Sequence, residues 1–218
     1  MKAIIKRAFP ALLLACAASA NAGVIDLGSV DKNYGSATGY VNTNTGVRKP
    51  CDKMGTNAVT VKDTPSGCSW FSDAFDFSAL GTKNIDSFDL TLSFSNTNDS
   101  FALGPTRTFE DWRVQVGDSA TSKSAVEMDL LNSLALTSQT FHIDATTHAD
   151  VFSNIAANGK FYLSFRDDSW LSSEFILRSA SLKVNGIEAA DVPEPASIAL
   201  FGVAMLGAAV ARRRRAAK

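Results

Sequence analysis

The sequence predicts an all-β fold, an antiparallel β-sandwich of the jelly-roll type with one short helix, followed by a C-terminal hydrophobic helix. Three observations favour the sandwich: runs that alternate polar and apolar residues, turn-forming clusters between those runs, and few segments with helical periodicity. The 218 residues are enough for one such domain with short appendages. We expect the domain at 23–190, between a signal peptide at 1–22 and a separate C-terminal segment at 191–218.

Three segments alternate with period two and are predicted to be strands with one buried face. They are DSFDLTLSFS, DWRVQVGD and KFYLSFRDD, separated by clusters of Gly, Asn, Asp and Ser. The residues predicted to face the core are Phe88, Leu90, Leu92, Phe94, Trp112, Val114, Val116, Phe161, Leu163 and Phe165.

The last predicted strand is EFILRSASLKV. Ile176, Ala180, Leu182 and Val184 are in phase on one face, and Arg178 interrupts that face. Many short strands with little helix are typical of two packed antiparallel sheets.

One short helix is predicted around 148–158. Thr147 is the candidate N-cap, Val151 and Ile155 share a face, and Gly159 is placed to end the helix.

Basic residues concentrate at the two ends of the chain. Between 23 and 195 there are 13 Lys and Arg against 22 Asp and Glu, a net charge of −9. A nucleic-acid-binding protein needs clustered cations to neutralise phosphates. The acidic body therefore excludes a nucleic-acid partner.

The N-terminus has the three parts of a secretory signal peptide. Basic residues at Lys2, Lys6 and Arg7 precede the apolar run AFPALLLACAASA, and Ala-Asn-Ala at 20–22 is a cleavage pattern. A buried N-terminal helix is the alternative. LLAC also resembles a lipoprotein box that would place a lipid on Cys16, but we favour cleavage after Ala22.

The C-terminus has a different three-part pattern. Pro193, Glu194 and Pro195 precede an apolar run of 16 residues at 196–211, and the arginines Arg212, Arg213, Arg214 and Arg215 follow it. A membrane-spanning helix needs about 20 apolar residues, so the run is short for a lasting anchor. The arginines are a positive-inside stop signal. An ordinary single-pass anchor is the alternative to a tail that is removed.

These three parts, in this order at the end of the chain, resemble the PEP-CTERM sorting signal of Gram-negative bacteria. The resemblance implies processing by the membrane enzyme exosortase, the expected partner. It also implies an inner-membrane intermediate, then the cell surface or extracellular matrix, with association to extracellular polysaccharide. It covers only the last part of the chain.

Cys51 and Cys68 are the two cysteines that remain once the signal peptide is removed. In an oxidising compartment such a pair usually forms a disulfide. A metal site is the alternative, but it needs further ligands, and His142 and His148 are distant in sequence.

A carboxylate interrupts an aromatic row in WFSDAFDF, where Phe71, Asp73, Phe75 and Phe77 share one face of a strand. An unpaired buried carboxylate is costly. We expect Asp73 to accept hydrogen bonds from a neighbouring loop or to pair with an arginine; a calcium or sugar ligand is the alternative.

The F-x-D-x-F pattern of Phe71, Asp73 and Phe75 resembles the FxDxF family of PEP-CTERM proteins. That resemblance implies a β-rich exported domain without an assigned activity, and it carries over no catalytic residue.

No catalytic motif for an acyl-transfer, zinc-protease or phosphate-binding site occurs in the sequence. We therefore expect a non-enzymatic protein without cofactor or metal. Two alternatives remain, a carbohydrate-binding module and a glycan hydrolase with two carboxylates. Asp167 and Asp168 are more typical of a solvated turn, and Trp112 and Trp170 of a core than of sugar stacking.

We predict that Cys51 and Cys68 form an intramolecular disulfide in the exported protein. Closing this loop should stabilise the fold by about 3 kcal/mol. Peptide mapping by mass spectrometry under non-reducing conditions should recover the two cysteines in one linked species. Two free thiols in the native exported protein would contradict this.

Overall fold

Strands make up most of the residues that the computed structural model describes, which are 23–39, 52–63, 71–81, 84–98, 100–103, 106–109, 111–119, 125–167 and 173–188. In chain order the strands are β1 (Val24–Asn33), β2 (Lys53–Met54), β3 (Val59–Asp63), β4 (Ser72–Asp76), β5 (Ile85–Ser95), β6 (Ser100–Leu103), β7 (Thr106–Phe109), β8 (Trp112–Gly117), β9 (Val126–Asp129), β10 (Thr137–Asp144), β11 (Lys160–Asp167) and β12 (Ser173–Ile187). One α-helix, α1 (Ala149–Asn158), lies between β10 and β11.

The first sheet is built around β12. Its strand order is β10-β5-β12-β3-β2, and β1 also pairs with β12. β5 runs along one side of β12, while β3 and β1 divide the other side between them, β3 beside 173–177 and β1 beside 179–187. All these pairings are antiparallel.

The second sheet has the order β4-β11-β8-β9 and is also antiparallel. β6 and β7 form a separate hairpin. The chain passes from one sheet to the other between β3 and β4, β4 and β5, β9 and β10, β10 and β11, and β11 and β12. These repeated crossings bring distant parts of the sequence together in the core.

The core lies between the inner faces of the two sheets. Every residue predicted to face the core in the first three strands is buried. Aromatic rings from opposite sheets touch: the centroids of Phe88 and Phe161 are 5.9 Å apart, and those of Trp112 and Phe175 are 4.6 Å apart. Burial of large aromatic side chains is the main stabilising contribution in such a core. The predicted antiparallel sandwich with one short helix is confirmed.

A β-bulge at Arg178 changes which residues of β12 face the core. Leu177 pairs with Phe94 and Ser179 with the next residue of β5, Ser93, so Arg178 is an extra residue on β12. An extra residue in a strand reverses the alternation of its faces. The predicted core position of Ile176 is therefore wrong: Ile176 is only partly buried, and before the bulge Phe175 and Leu177 are buried instead.

The helix α1 begins and ends close to its predicted limits. Val151 and Ile155 are buried, and Gly159 follows the helix in the left-handed conformation, with φ of 66°. The predicted cap at Thr147 is wrong. The N-cap position is His148, without a side-chain cap, because the Thr147 hydroxyl instead donates to Asp144 Oδ1 at 2.8 Å.

Several strands were not predicted. β1 has exposed hydrophobic residues at its start and an irregular register near Gly28, so its alternation is hard to detect. β2 and β3 lie within a segment rich in turn-forming residues, between the two cysteines. β10 is also new, although it places Phe141 and Ile143 in the core.

Val24–Ile187 form one compact unit, and a second unit comprises Met1–Gly23 and Glu188–Lys218. Of the second unit only Gly23 and Glu188 are described. The predicted signal peptide, Cys16, the sorting tripeptide, the arginine cluster and the C-terminal hydrophobic helix therefore lie outside the described residues. So do Cys51, Cys68, Asp168 and Trp170, and the disulfide stays a prediction.

The described part of the chain contains no helix with the length and apolar character required to cross a membrane.

We predict that Gly35→Ala lowers the free energy of unfolding by more than about 2 kcal/mol. Gly35 has φ of 118°, and an added Cβ would lie 2.5 Å from the Thr56 carbonyl oxygen. Gly39→Ala is the matched control, because Gly39 also has positive φ, 73°, but nothing lies within 4 Å of its added Cβ. Gly39→Ala should lower the free energy of unfolding by about 1 kcal/mol. Chemical denaturation of both variants measures the difference, and equal losses would contradict the prediction.

Candidate functional site

The F-x-D-x-F motif lies on β4, at the edge of the second sheet. Phe71, Asp73 and Phe75 all point inward and are 0%, 5% and 0% exposed. The motif has this spacing because alternate residues of a strand face the same side. A carboxylate therefore lies between two rings at the border of the core.

Asp73 is held by two side chains of the other sheet. Lys32 of β1 places its Nζ 2.6 Å from Asp73 Oδ1, and the Tyr34 hydroxyl, just after β1, donates to Oδ2 at 3.1 Å. The Ala74 amide also donates to Oδ1 at 2.8 Å. The predicted hydrogen bond from a neighbouring loop is present, because Tyr34 lies just after β1; the charged partner is a lysine and not the alternative arginine.

The two phenylalanines of the motif contact the two residues that hold Asp73: Phe75 contacts Lys32, and Phe71 contacts Tyr34. Lys32 Nζ lies 5.0 Å from the centroid of the Phe75 ring and donates to the Ala74 carbonyl at 2.6 Å. Tyr34 packs edge-on against Phe71 with centroids 5.6 Å apart. A cation over a ring and an edge-to-face pair each add about 0.5–1.5 kcal/mol. The motif thus joins β4 to β1 across the sandwich.

This arrangement gives Asp73 a structural role. Both carboxylate oxygens have protein partners, and the side chain is almost completely buried. A calcium ion or a sugar at Asp73 would have to displace Lys32 or Tyr34. The site therefore links the sheets.

The second carboxylate singled out from the sequence, Asp167, is also buried and partnered. Its Oδ1 accepts from the Asp111 amide at 3.2 Å, and its Oδ2 accepts from the Ser173 hydroxyl. Asp167 thus ties the loop before β8 to the start of β12 and does not lie in a solvated turn. Trp112 is completely buried, in the core position that was favoured over sugar stacking.

A polar cluster on the outer face of the first sheet was not predicted from the sequence. His142 of β10 lies between two carboxylates: its Nδ1 is 2.7 Å from Asp89 Oδ1, and its Nε2 is 3.3 Å from Asp144 Oδ2. Asp89 Oδ2 accepts from Asn185 Nδ2 at 2.8 Å. The cross-strand pairing of His142 with Asp89 brings these groups together.

The electrostatics of this cluster favour a protonated histidine. The hydrogen bond to Asp89 raises the pKa of His142 above its ordinary value of 6.5. Partial burial would raise the pKa of Asp89, but hydrogen bonds from His142 and Asn185 outweigh it and the pKa is lowered. Backbone and side-chain hydrogen bonds from Thr147 lower the pKa of Asp144 to about 2.

Metal binding has no support within the described ranges, which bring together no group of three or more His, Cys, Asp or Glu residues able to hold an ion. His142 directs its two ring nitrogens to separate carboxylates, so the three side chains do not converge on one point.

Comparisons with known proteins identify the C-terminal segment. Residues 191–215 match the family model described as the PEP-CTERM protein-sorting motif. The match includes the tripeptide at 193–195 and the four arginines at 212–215. The FxDxF family stays a resemblance on the motif alone.

The remaining comparisons add little. No curated protein matches the chain significantly. A solved structure with some similarity is the coat protein of Tobacco streak virus, at 12% identity and a TM-score of 0.23, covering 66% of this chain and 95% of the other.

We predict that Lys32→Met lowers the free energy of unfolding by about 3 kcal/mol, because it leaves the buried Asp73 carboxylate without its cation. Asp73→Asn should cost less, about 1–3 kcal/mol, since Lys32 is partly exposed and can turn to water. The double variant should cost less than the sum.

Lys62→Met is the matched control, because Lys62 pairs with Glu174, whose side chain is 52% exposed, and such pairs contribute less than about 1 kcal/mol. Denaturant unfolding measures all four variants. Strict additivity of the Lys32 and Asp73 effects would refute the coupling.

We also predict a pH-dependent contribution from His142. Because the folded state raises its pKa, the stabilisation is fully present below pH 6.5 and is lost as the pH rises through the folded pKa. The stabilisation contributed by Asp89 and Asp144 is present above pH 3.8 and is lost as the pH falls through their lowered pKa values. The melting temperature of His142→Gln should lose this slope above pH 6.5, whereas the control His148→Gln should keep it.

Proposed function

We propose that the β-sandwich is a non-enzymatic component of the cell surface or extracellular matrix, exported and sorted by exosortase through the PEP-CTERM motif at 191–215. The body associates with the exopolysaccharide or biofilm of a Gram-negative bacterium. The observation that carries this proposal is the match at 191–215, which ends the chain in the order tripeptide, apolar run and arginines.

The route of the protein is part of the proposal. A signal peptide at 1–22 starts export, and the arginines at 212–215 stop it, so the tail spans the inner membrane only transiently. Pro193 and Pro195 keep the tripeptide extended on the outer side, where a membrane peptidase can bind it. Exosortase then releases the body to the surface.

The two carboxylates singled out by their sequence context are unsuited to act as a hydrolase pair. Asp73 and Asp167, the two acids in unusual sequence contexts, both have structural partners. A hydrolase needs two carboxylates placed on either side of an accessible bond, and these two are 5% and 4% exposed.

The outer face of the first sheet supports association with a polysaccharide. Thr140 of β10, Thr91 of β5 and Ser181 of β12 lie in one cross-strand row, next to the row of His142 and Asp89. Hydroxyl and carboxylate groups are the partners that sugar hydroxyls use for hydrogen bonds. A carbohydrate-binding module would give discrete hits of the exported protein on a glycan array, and a hydrolase would shorten the organism's own polymer.

We predict that the mature protein lacks the four arginines and most of the apolar run, with cleavage at or just after 193–195. A run of 16 residues is short for a stable span, so a transient stop suits it better than a lasting anchor. Mass spectrometry of the C-terminal peptide of the exported protein locates the cut.

Two variants sharpen this test. Replacing Pro193, Glu194 and Pro195 by alanine should leave an uncleaved form in the inner membrane. Deleting 212–215 should let the tail pass through the membrane and impair sorting. An intact chain ending in Lys218, recovered from cells with active exosortase, would instead identify the tail as a plain anchor.

A further inference from the structure

Three leucines are exposed on the loop between β9 and β10. Leu131, Leu134 and Leu136 are 54%, 64% and 58% exposed. We call these three residues the leucine tip. Leucine is usually buried, and a short loop that exposes three leucines is a candidate interaction site.

The leucine tip has a defined conformation. Thr97, which is completely buried, donates its hydroxyl to the Leu131 carbonyl at 2.6 Å and accepts from the Ser133 amide at 3.0 Å. The Leu131 amide donates to Gln139 Oε1 at 2.7 Å. Because the loop is held before any partner arrives, little conformational entropy is lost on binding.

A second exposed apolar patch lies where the body begins and ends. Val24, Ile25 and Ile187 are 66%, 37% and 37% exposed. Val24 and Ile187 are neighbours because they pair across β1 and β12, and Ile25 follows Val24 on the other face of β1. We call these three residues the terminal patch.

The two patches lie at opposite ends of the first sheet. The leucine tip leads into Thr137, which pairs with Phe94 near the end of β5, whereas Gly186 pairs with Ile85 at its start. β5 has 11 residues, so at about 3.3 Å per residue its ends are roughly 33 Å apart. One molecule cannot cover its own leucine tip with its own terminal patch.

Charge also permits contact between copies at the leucine tip. The segment 23–195 carries a net charge of −9, yet 130–141 contains no charged residue. Two acidic bodies repel each other, and the leucine tip is a place where a second copy can approach without placing carboxylates together.

We propose that the body associates head to tail, with the leucine tip of one copy against the terminal patch of the next. Contacts between two different surfaces of one chain do not close on themselves unless the rotation forms a ring, and they then generate filaments. Head-to-tail contact covers both patches of every interior copy, whereas a tip-to-tip dimer leaves both terminal patches exposed. The proposed assembly requires no polysaccharide and so stands independently of the proposed function.

The test uses two complementary variants of the exported protein. The tip variant carries Leu131→Ser, Leu134→Ser and Leu136→Ser, and the terminal variant carries Val24→Thr, Ile25→Thr and Ile187→Thr, which keep β-branched residues in the strands. Sedimentation velocity at increasing concentration, without polysaccharide, should show species beyond dimers for the unchanged protein and monomers for each variant. An equimolar mixture should form a one-to-one dimer and stop there, because only one intact junction remains.

Matched controls separate this effect from general changes of the surface. Asn132→Ser lies within the same loop, and Met54→Thr replaces a residue that is 40% exposed on β2; both should assemble like the unchanged protein. The melting temperature verifies that each variant is folded, and the single change Leu134→Ser should weaken assembly in part.

Three outcomes overturn the proposal. The first is that the unchanged protein stays monomeric at its highest soluble concentration. The second is that the terminal variant still dimerises, which would indicate a tip-to-tip contact. The third is that the mixture of the two variants forms no dimer. A failure to assemble would not affect the test of sorting, because tail cleavage is measured separately by mass spectrometry of the C-terminal peptide.

Discussion

The ion pair between Lys32 and Asp73 is the contact on which the arrangement of the two sheets depends. Burial of apolar side chains is strong but not directional, so the aromatic core alone does not determine how one sheet edge lies against the other. The pair joins β1 of the first sheet to β4 of the second at 2.6 Å. Because an unpaired charge is costly in the interior, arrangements that separate these two strands are disfavoured.

Nearby features hold this pair in place. The Tyr34 amide donates to the carbonyl of Arg178, the bulged residue of β12, at 2.8 Å, and its hydroxyl reaches Asp73. Gly35, the next residue, lets the chain turn closely over 56–58. The bulge, the close turn and the motif of β4 therefore form one connected region at which an edge of each sheet is fixed.

The sequence allowed the interior strands to be predicted better than the edges. β5, β8 and β11 pack one face against the core, so their apolar residues recur at every second position. β1 and β2 carry many polar or exposed residues, and their signal is weak. The bulge at Arg178 could not be predicted for another reason. A residue is extra only relative to the strand it pairs with, here β5, and the sequence of β12 alone does not reveal that pairing.

The candidate site shows the same division. The sequence showed that Asp73 needed a partner, because a carboxylate in an aromatic row cannot stay bare. It did not identify Lys32, which is 41 residues away and lies on a strand that the pattern missed. The cluster of His142, Asp89 and Asp144 was hidden likewise, since it depends on the pairing of β5 with β10. The C-terminal sorting segment was predictable because it is recognised by the linear order of tripeptide, apolar run and arginines, which the sequence shows directly.

The position of β12 determines how the body responds to tension. β12 ends at Ile187, the last residue of the compact body, so a force applied at this residue acts first on β12. β12 is hydrogen-bonded to β5 on one side and to β1 and β3 on the other. If the opposite end of the body is held, many of these bonds share the load in shear and must break together, unlike the bonds of a hairpin peeled open one at a time. β12, with three neighbouring strands, is thus the strand of the first sheet best placed to resist a load applied at Ile187.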